Sequence, residues 1–259
     1  MNNVYVKFDP AARMGNRMFQ YAFGYLLAEE RKCNLIHDEL PNFDIPSKLE
    51  QLYTTKGVTN TRSIGDQKVN FKDLVNNENA IIVDSYLQRA EYYVKDREKL
   101  RTLFKIKNHQ SINKDKLVVH VRETDYQQVN CFLGFNFYLK MIKDSGFSDI
   151  LLVTDNSYCE TVEKLVAEGC ELVSEGYVNK FEFHSNQRSM NDWITLLLSE
   201  NIALSQSSFS WWAAFLGFHK KIIFPYSKNV NMWPVNPKGD EQDLFFDFQN
   251  SSVKYTYNG

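Results

Sequence analysis

Between residues 116 and 224 the sequence alternates short, β-branched apolar runs with amphipathic segments of helical length, and this alternation restricts the fold more than any other feature. Residues 116–121, 149–153, 171–173, 202–204 and 221–224 read as strands. Residues 135–143, 158–167, 192–200 and 209–218 read as helices, with Gly146 and Gly169 as stop signals. Strands joined through helices at this spacing pair in parallel and are covered on both faces. Ligands of such sheets bind beyond the carboxyl ends of the strands.

The N-terminal part follows the same grammar less regularly. Residues 4–8 read as a strand and 16–32 as a helix, in which Met18, Phe19, Ala22, Phe23, Leu26 and Leu27 form an apolar stripe. Residues 33–36 read as a second strand, 80–83 as a third, and 89–104 as a charged amphipathic helix. Between them, 41–79 is polar and irregular, with apolar islands at 49–53 and 71–74. The polar stretch 105–115 reads as a linker between lobes. The expected division is an N-terminal α/β lobe over 1–115, a Rossmann-like lobe over 116–235, and an aromatic tail over 236–259 that packs back on the body.

With 43% hydrophobic residues in 259, the chain can bury sizeable cores. A net charge of −2, with lysines and arginines scattered among acids, argues against nucleic acid as a partner. No run approaches the roughly 18 apolar residues of a membrane span, and Met1–Tyr5 carries no leader pattern. The expected location is the cytoplasm or the periphery of a membrane. Cys33, Cys131, Cys159 and Cys170 show no C-x-x-C spacing, so they read as buried thiols in a reducing compartment, and no metal site is expected.

The chemistry gathers at strand ends. After residues 4–8 come Arg13, Gly15, Asn16 and Arg17; after 116–119 come His120, Arg122, Glu123 and Asp125; after 150–153 comes Asp155; after 202–204 comes Ser205-Gln-Ser-Ser-Phe-Ser-Trp-Trp212. A serine-lined turn entering a buried helix offers hydroxyls and unpaired N–H groups to an anion, although Ser207, Ser208 and Ser210 also suit plain N-capping. An arginine at a neighbouring strand end can pair two phosphate oxygens at once; its alternative is an ion pair with Glu123 or Asp125. Asp155 can accept hydrogen bonds from a base or ribose, and His120 suits an interior hydrogen bond better than general-base work. A Rossmann-type oxidoreductase is disfavoured, because no G-x-G-x-x-G follows the first strand.

Arg13-Met-Gly-Asn-Arg-Met-Phe-Gln-Tyr-Ala22, Asp84-Ser-Tyr-Leu-Gln88 before Tyr92-Tyr93, His120-Val-Arg-Glu-Thr-Asp-Tyr126, Thr154-Asp155 and Ser207-Ser-Phe-Ser-Trp-Trp-Ala213 resemble, in this order, the motifs of the alpha-1,2-fucosyltransferases of glycosyltransferase family 11. The resemblance implies a GT-B fold of two Rossmann-like α/β lobes with the active site in the cleft between them. It further implies an inverting, metal-independent transfer, without cofactor, from a nucleotide sugar, GDP-fucose in the first instance, to a hydroxyl of a glycan, free or lipid-linked. Carried over, Arg122 stabilises the leaving diphosphate, with Asp125 as an orienting residue and Asp125 or Glu123 as base. Gly15, Asn16, His120, Asp155, Ser207, Ser208, Phe209 and Ser210 bind the donor, the lobe over 116–235 being the nucleotide-sugar-binding one and the lobe over 1–115 the acceptor side. The chain departs from the family pattern at Glu123, where a second arginine is usual, and at Ala12-Arg13 and Arg17. Arg13 and Arg17 are candidate auxiliary cations that would restore the positive field. Two other readings stay open: a related transferase with a different nucleotide sugar, and a non-catalytic sugar- or nucleotide-binding homologue.

Overall fold

The computed structural model describes residues 3–48, 61–64, 68–76, 80–107, 110–123, 132–174, 177–178, 187–226 and 244–256. These divide into two compact units, split after Ile106.

The first unit runs β1 (Val4–Val6), α1 (Met14–Arg31), β2 (Leu35–His37), β3 (Thr61–Ile64), α2 (Phe71–Val75), β4 (Ala80–Val83) and α3 (Arg97–Leu103). Its strands pair in parallel in the order β2-β1-β4-β3. The chain leaves β1 toward β2 on one side and later returns to β4 on the other, so the order reverses between β1 and β4. Helix α1 exists because its apolar stripe has this sheet to lie on: Met18, Phe19, Ala22, Phe23 and Leu27 are all fully buried. Lys32, in the left-handed region at φ 52, ends it and turns the chain into β2. The approach of helix to sheet is set by Gly24, where an added Cβ would stand 2.3 Å from Val6 Cγ2.

The second unit runs β5 (Lys116–Val121), α4 (Gly134–Ser145), β6 (Asp149–Thr154), α5 (Glu160–Ala167), β7 (Glu171–Leu172), α6 (Arg188–Leu198), β8 (Asn201–Ala203), α7 (Ser208–Leu216), β9 (Lys221–Tyr226) and β10 (Ser252–Thr256). All pair in parallel, in the order β10-β9-β8-β5-β6-β7. This is the doubly wound Rossmann order, with its reversal between β5 and β8. Leu117, Val119 and Val121 face Phe137, Met141, Val162 and Leu165 of α4 and α5. On the opposite side His120 meets Phe209 of α7. Helix α7 is buried all round from Ser210 to Leu216; Trp211 stacks on Phe215 at 4.8 Å and donates through Nε1 to Leu244 O at 2.6 Å. Each such aromatic, fully buried, is worth about 1.5–3 kcal/mol of hydrophobic stabilisation.

Several elements differ from the reading of the sequence. Residues 89–104 are not one helix: 3₁₀ turns at Ala90–Tyr92 and Val94–Asp96 precede the short α3. Tyr92 and Tyr93 are both buried, and neighbouring positions on an α-helix point about 100° apart. The chain instead adopts tighter turns that let the Tyr93 hydroxyl donate to Leu87 O at 2.9 Å while the Tyr92 hydroxyl accepts from Val69 N–H at 2.8 Å. The second strand begins two residues late, because Cys33 N–H still bonds Ala28 O and pairing with β1 sets Val4 opposite Leu35. The segment expected to be irregular holds β3 and α2, and the tail adds β10 to the edge of the second sheet. Helix α6 starts at Arg188, four residues earlier than the pattern suggests. The island at 49–53 lies outside the described residues.

Gly24→Ala should destabilise the first unit by about 1–3 kcal/mol, the overpacking cost outweighing the roughly 1 kcal/mol gained in helix propensity. Urea unfolding of Gly24→Ala, Val6→Ala and the double variant checks it; a favourable coupling energy is expected, since the smaller Val6 side chain removes the clash.

Candidate active site

The strand order reverses between β5 and β8, the switch point at which doubly wound sheets have a ligand crevice beyond the carboxyl ends of their strands. One hydrogen bond ties its walls together: His120, next to last in β5, contacts Ser205 Oγ just beyond β8 through Nδ1, at 2.7 Å. Burial, and then the neighbouring Arg122, push the His120 imidazole down to about 3, so it is neutral at working pH. With its ring 5.5 Å from Phe209, His120 is a strut rather than a surface group.

The serines divide by role. Ser207 is the N-cap of α7, its Oγ accepting from Phe209 N–H at 3.3 Å, and the buried Ser210 donates to Ser207 O. Ser208 and Phe209 are half-buried at the mouth of the turn. Gln206 is buried, and its amide Nε2 has no hydrogen-bond partner. An unpaired buried donor costs about 1–3 kcal/mol.

Arg122 follows β5 directly, and its guanidinium pairs at 3.1 Å with Asp155, which follows β6; the two side chains are 12% and 23% exposed. Among the described residues an ion pair of Arg122 is thus made with Asp155, which follows a different strand, while Asp125 lies outside the described residues. Asp192, on the first turns of α6, is a group to which the sequence reading assigned no role. Its carboxyl is raised to about 6, first by burial and also by the Asp155 charge, with Arg188 one turn earlier offsetting part of the effect. The only sequence signal was an acid placed between the buried Asn191 and Trp193 at the start of an amphipathic helix. Glu123 is buried with Oε1 unpaired, on the sheet face of Tyr138 and Cys159 rather than beside Arg122. Burial raises the Tyr138 phenol far above its usual range, with Glu123 adding to the shift. Asp125 lies outside the described residues. Among the described residues no group of three or more His, Cys, Asp or Glu is placed to hold a metal ion.

The first-unit candidates stand at that unit's own carboxyl edge. Gly15 is buried in the first turn of α1; Asn16 Oδ1 accepts from Gln88 Nε2 at 3.0 Å. Arg17 donates through Nε to Ala12 O at 2.9 Å and lies 5.7 Å from the Phe8 ring centroid, while Arg13 is the N-cap residue of α1 without a capping side-chain bond.

No protein-family model matches the chain, and no curated protein sequence matches it. Solved structures do. The NodZ alpha-1,6-fucosyltransferase of Bradyrhizobium co-crystallised with GDP matches over 86% of this chain and 94% of its own, at 12% identity and a TM-score of 0.50. Arabidopsis thaliana FUT1 mutant R284K in complex with GDP matches over 86% and 69%, at 13% identity and 0.46. E. coli heptosyltransferase WaaC with ADP matches over 99% and 93%, at 12% identity and 0.45. At these identities the likeness is one of fold. The chain is an α/β protein of GT-B type, with two Rossmann-like lobes.

Because the folded state raises the Asp192 carboxyl from 3.8 to about 6, its ionised form is penalised on folding. The penalty is absent below pH 3.8, grows as pH rises, and is complete above about pH 6. Asp192→Asn should therefore be more stable than the parent at pH 7.5, by up to about 3 kcal/mol, with the advantage vanishing near pH 4. Denaturant titrations at the two pH values measure it.

Proposed function

We propose that this chain is a glycosyltransferase that moves a sugar from a nucleoside diphosphate, GDP-fucose being the first donor to test, to a hydroxyl of a glycan. The observation that carries this reading is the placement of Arg122 at the end of β5 and of the serine-lined N-terminus of α7 after β8, the two strands on either side of the reversal of a Rossmann-ordered sheet. In an inverting displacement the acceptor oxygen, giving up its proton to a base, forms a bond to the anomeric carbon as the bond to the diphosphate oxygen breaks, and the departing diphosphate gains one negative charge on that oxygen. A planar guanidinium and the first N–H groups of a helix receive that charge without reorganising. His120 acts as a positioning residue, keeping Ser205 and hence the start of α7 in register with β5. Asp155, assigned to the nucleoside, also aims the Arg122 guanidinium through their ion pair, for which a bound diphosphate competes. The NodZ fucosyltransferase with GDP supports GDP-fucose as the specific donor of this proposal, and the motif resemblance supports an alpha-1,2 linkage.

A second reading follows from the same pair. An arginine already neutralised by Asp155, with the buried Glu123 where a cation is usual, also suits a homologue that binds a nucleotide sugar without turning it over.

Arg122→Ala should lower kcat by about 10²- to 10³-fold in an assay of GDP release from GDP-fucose with acceptor present; unaltered turnover removes the assignment. Turnover by the parent chain is expected to persist in EDTA, and its loss there with rescue by manganese would contradict metal-independent transfer. A GDP-dependent rise in melting temperature with no GDP released under any acceptor favours the binding homologue.

A further inference from the structure

Both ring nitrogens of His219 face carbonyl oxygens: Nδ1 stands 2.7 Å from Ser199 O and Nε2 3.2 Å from Ala213 O. A carbonyl oxygen only accepts, so both bonds form only when both nitrogens carry protons, and an imidazole with two protons is a cation. A neutral ring keeps one bond and turns the lone pair of its other nitrogen on a carbonyl oxygen.

The two acceptors sit at the ends of two helices. Ser199 is the C-cap of α6, and Ala213 lies in the last turn of α7, which ends at Leu216. The last carbonyls of a helix lack partners within it and form its negative pole, so a cation placed there is stabilised. His219 reaches two such poles at once. The backbone is shaped around the ring: an added Cβ at Gly217 would stand 2.2 Å from Nε2 and 2.5 Å from Leu197 O, so the imidazole fits between the helix ends only because residue 217 has no side chain.

The other described histidines differ. His120 meets a hydroxyl, which can donate or accept, and burial keeps its ring neutral. His37 donates through Nδ1 to Asp38 O, but its Nε2 is buried without a partner, and burial holds its pKa below the ordinary value. Among the described histidines only half-buried His219 has a carbonyl at each nitrogen.

Neighbouring charges do not decide its state. The last turn of α6, over 195–198, has no charged residue, and α7 has none along its length. Glu200, between α6 and β8, pairs with Lys220 Nζ at 3.2 Å, and Lys221 of β9 donates through Nζ to Ser145 O at 3.0 Å. Lys114 and Asp115 follow Ile112, which is bridged to Ser199. Asp247, on the tail packed against Phe215, accepts from Ser252 N–H at 3.0 Å. Among the described residues Glu200, Asp115 and Asp247 stand against Lys114, Lys220 and Lys221, an even balance that leaves the two carbonyls to decide.

We propose that His219 is a proton-operated clamp: protonated at both nitrogens it joins the carboxyl-terminal ends of α6 and α7, and on losing a proton it releases one of them. The serine turn is at the opposite end of α7, so the clamp anchors that helix from behind, whatever donor or acceptor the chain takes. An unfolded chain titrates its histidines near the ordinary value of about 6.5, and the clamp raises the folded value. Its stabilisation is therefore fully present below about pH 6.5 and is lost as pH rises through the folded value.

The test titrates the full-length protein, with 15N-labelled histidine, by long-range proton–nitrogen correlation NMR, using His219→Gln to identify the signals. Both ring nitrogens are expected to be protonated at about pH 7, with the midpoint above it. Melting temperatures give a second readout. The parent is expected to melt about 4 °C above His219→Gln at about pH 6, and the gap to shrink by at least half at about pH 9. A gap that does not change with pH marks a merely structural ring and overturns the proposal, as does a midpoint at or below about pH 7. If His219→Gln does not fold, nuclear Overhauser contacts of the ring with Gly217 identify the signals in the parent, and the midpoint alone decides.

Discussion

The chain reverses direction across its second sheet at β5, and the candidate active site depends on that reversal. A parallel strand with neighbours on both sides must release its following segment toward one of them, so the segments after β5 and β8 part and expose the strand ends between them. The opening would be of little use if the two ends could slide. The buried bond between His120 and Ser205 prevents this, and it also explains why a histidine sits in an otherwise apolar strand: a neutral imidazole is large enough to reach across and polar enough to hold a hydroxyl.

Electrostatics at this edge are finely balanced. Arg122 carries the positive charge, Asp155 opposes it, and burial first, with the Asp155 charge adding to it, makes the Asp192 carboxylate costly to hold ionised. Ionised groups kept together at a cost in stability are common where a ligand later supplies the compensating interaction. Glu123 does not join this balance. It is buried beside Tyr138, whose phenol its charge helps to raise.

The two units solve the same topological problem with different chemistry. At the second reversal stand a cation, hydroxyls and the N-terminus of a buried helix, the equipment for an anion. At the first stand carboxamides, a serine and a tyrosine–aspartate pair, with no helix N-terminus lined by serines.

Much of this is legible in the amino-acid sequence alone. Strands 4–8, 80–83, 116–121, 149–153, 202–204 and 221–224 and the helices that follow the first, third, fourth and fifth of them are readable from period and punctuation, because a strand buried on both faces has to be apolar throughout. So are Arg122 and the serine turn, since strand ends in such sheets are where chemistry goes. Legibility stops where tertiary context overrules local preference. Polar β3 is a strand only because β4 offers it a partner; the run 89–104 gives up helix so that Tyr92 and Tyr93 can both be buried; β10 closes an edge from far along the chain. The same holds for the sites. Residue types and strand-end positions are written in the sequence, but that Arg122 pairs with Asp155, that Asp192 feels the Asp155 charge, and that Gln20 and Ser85 keep unsatisfied hydrogen-bonding atoms depends on distances between segments 33 to 65 residues apart, which only folding sets.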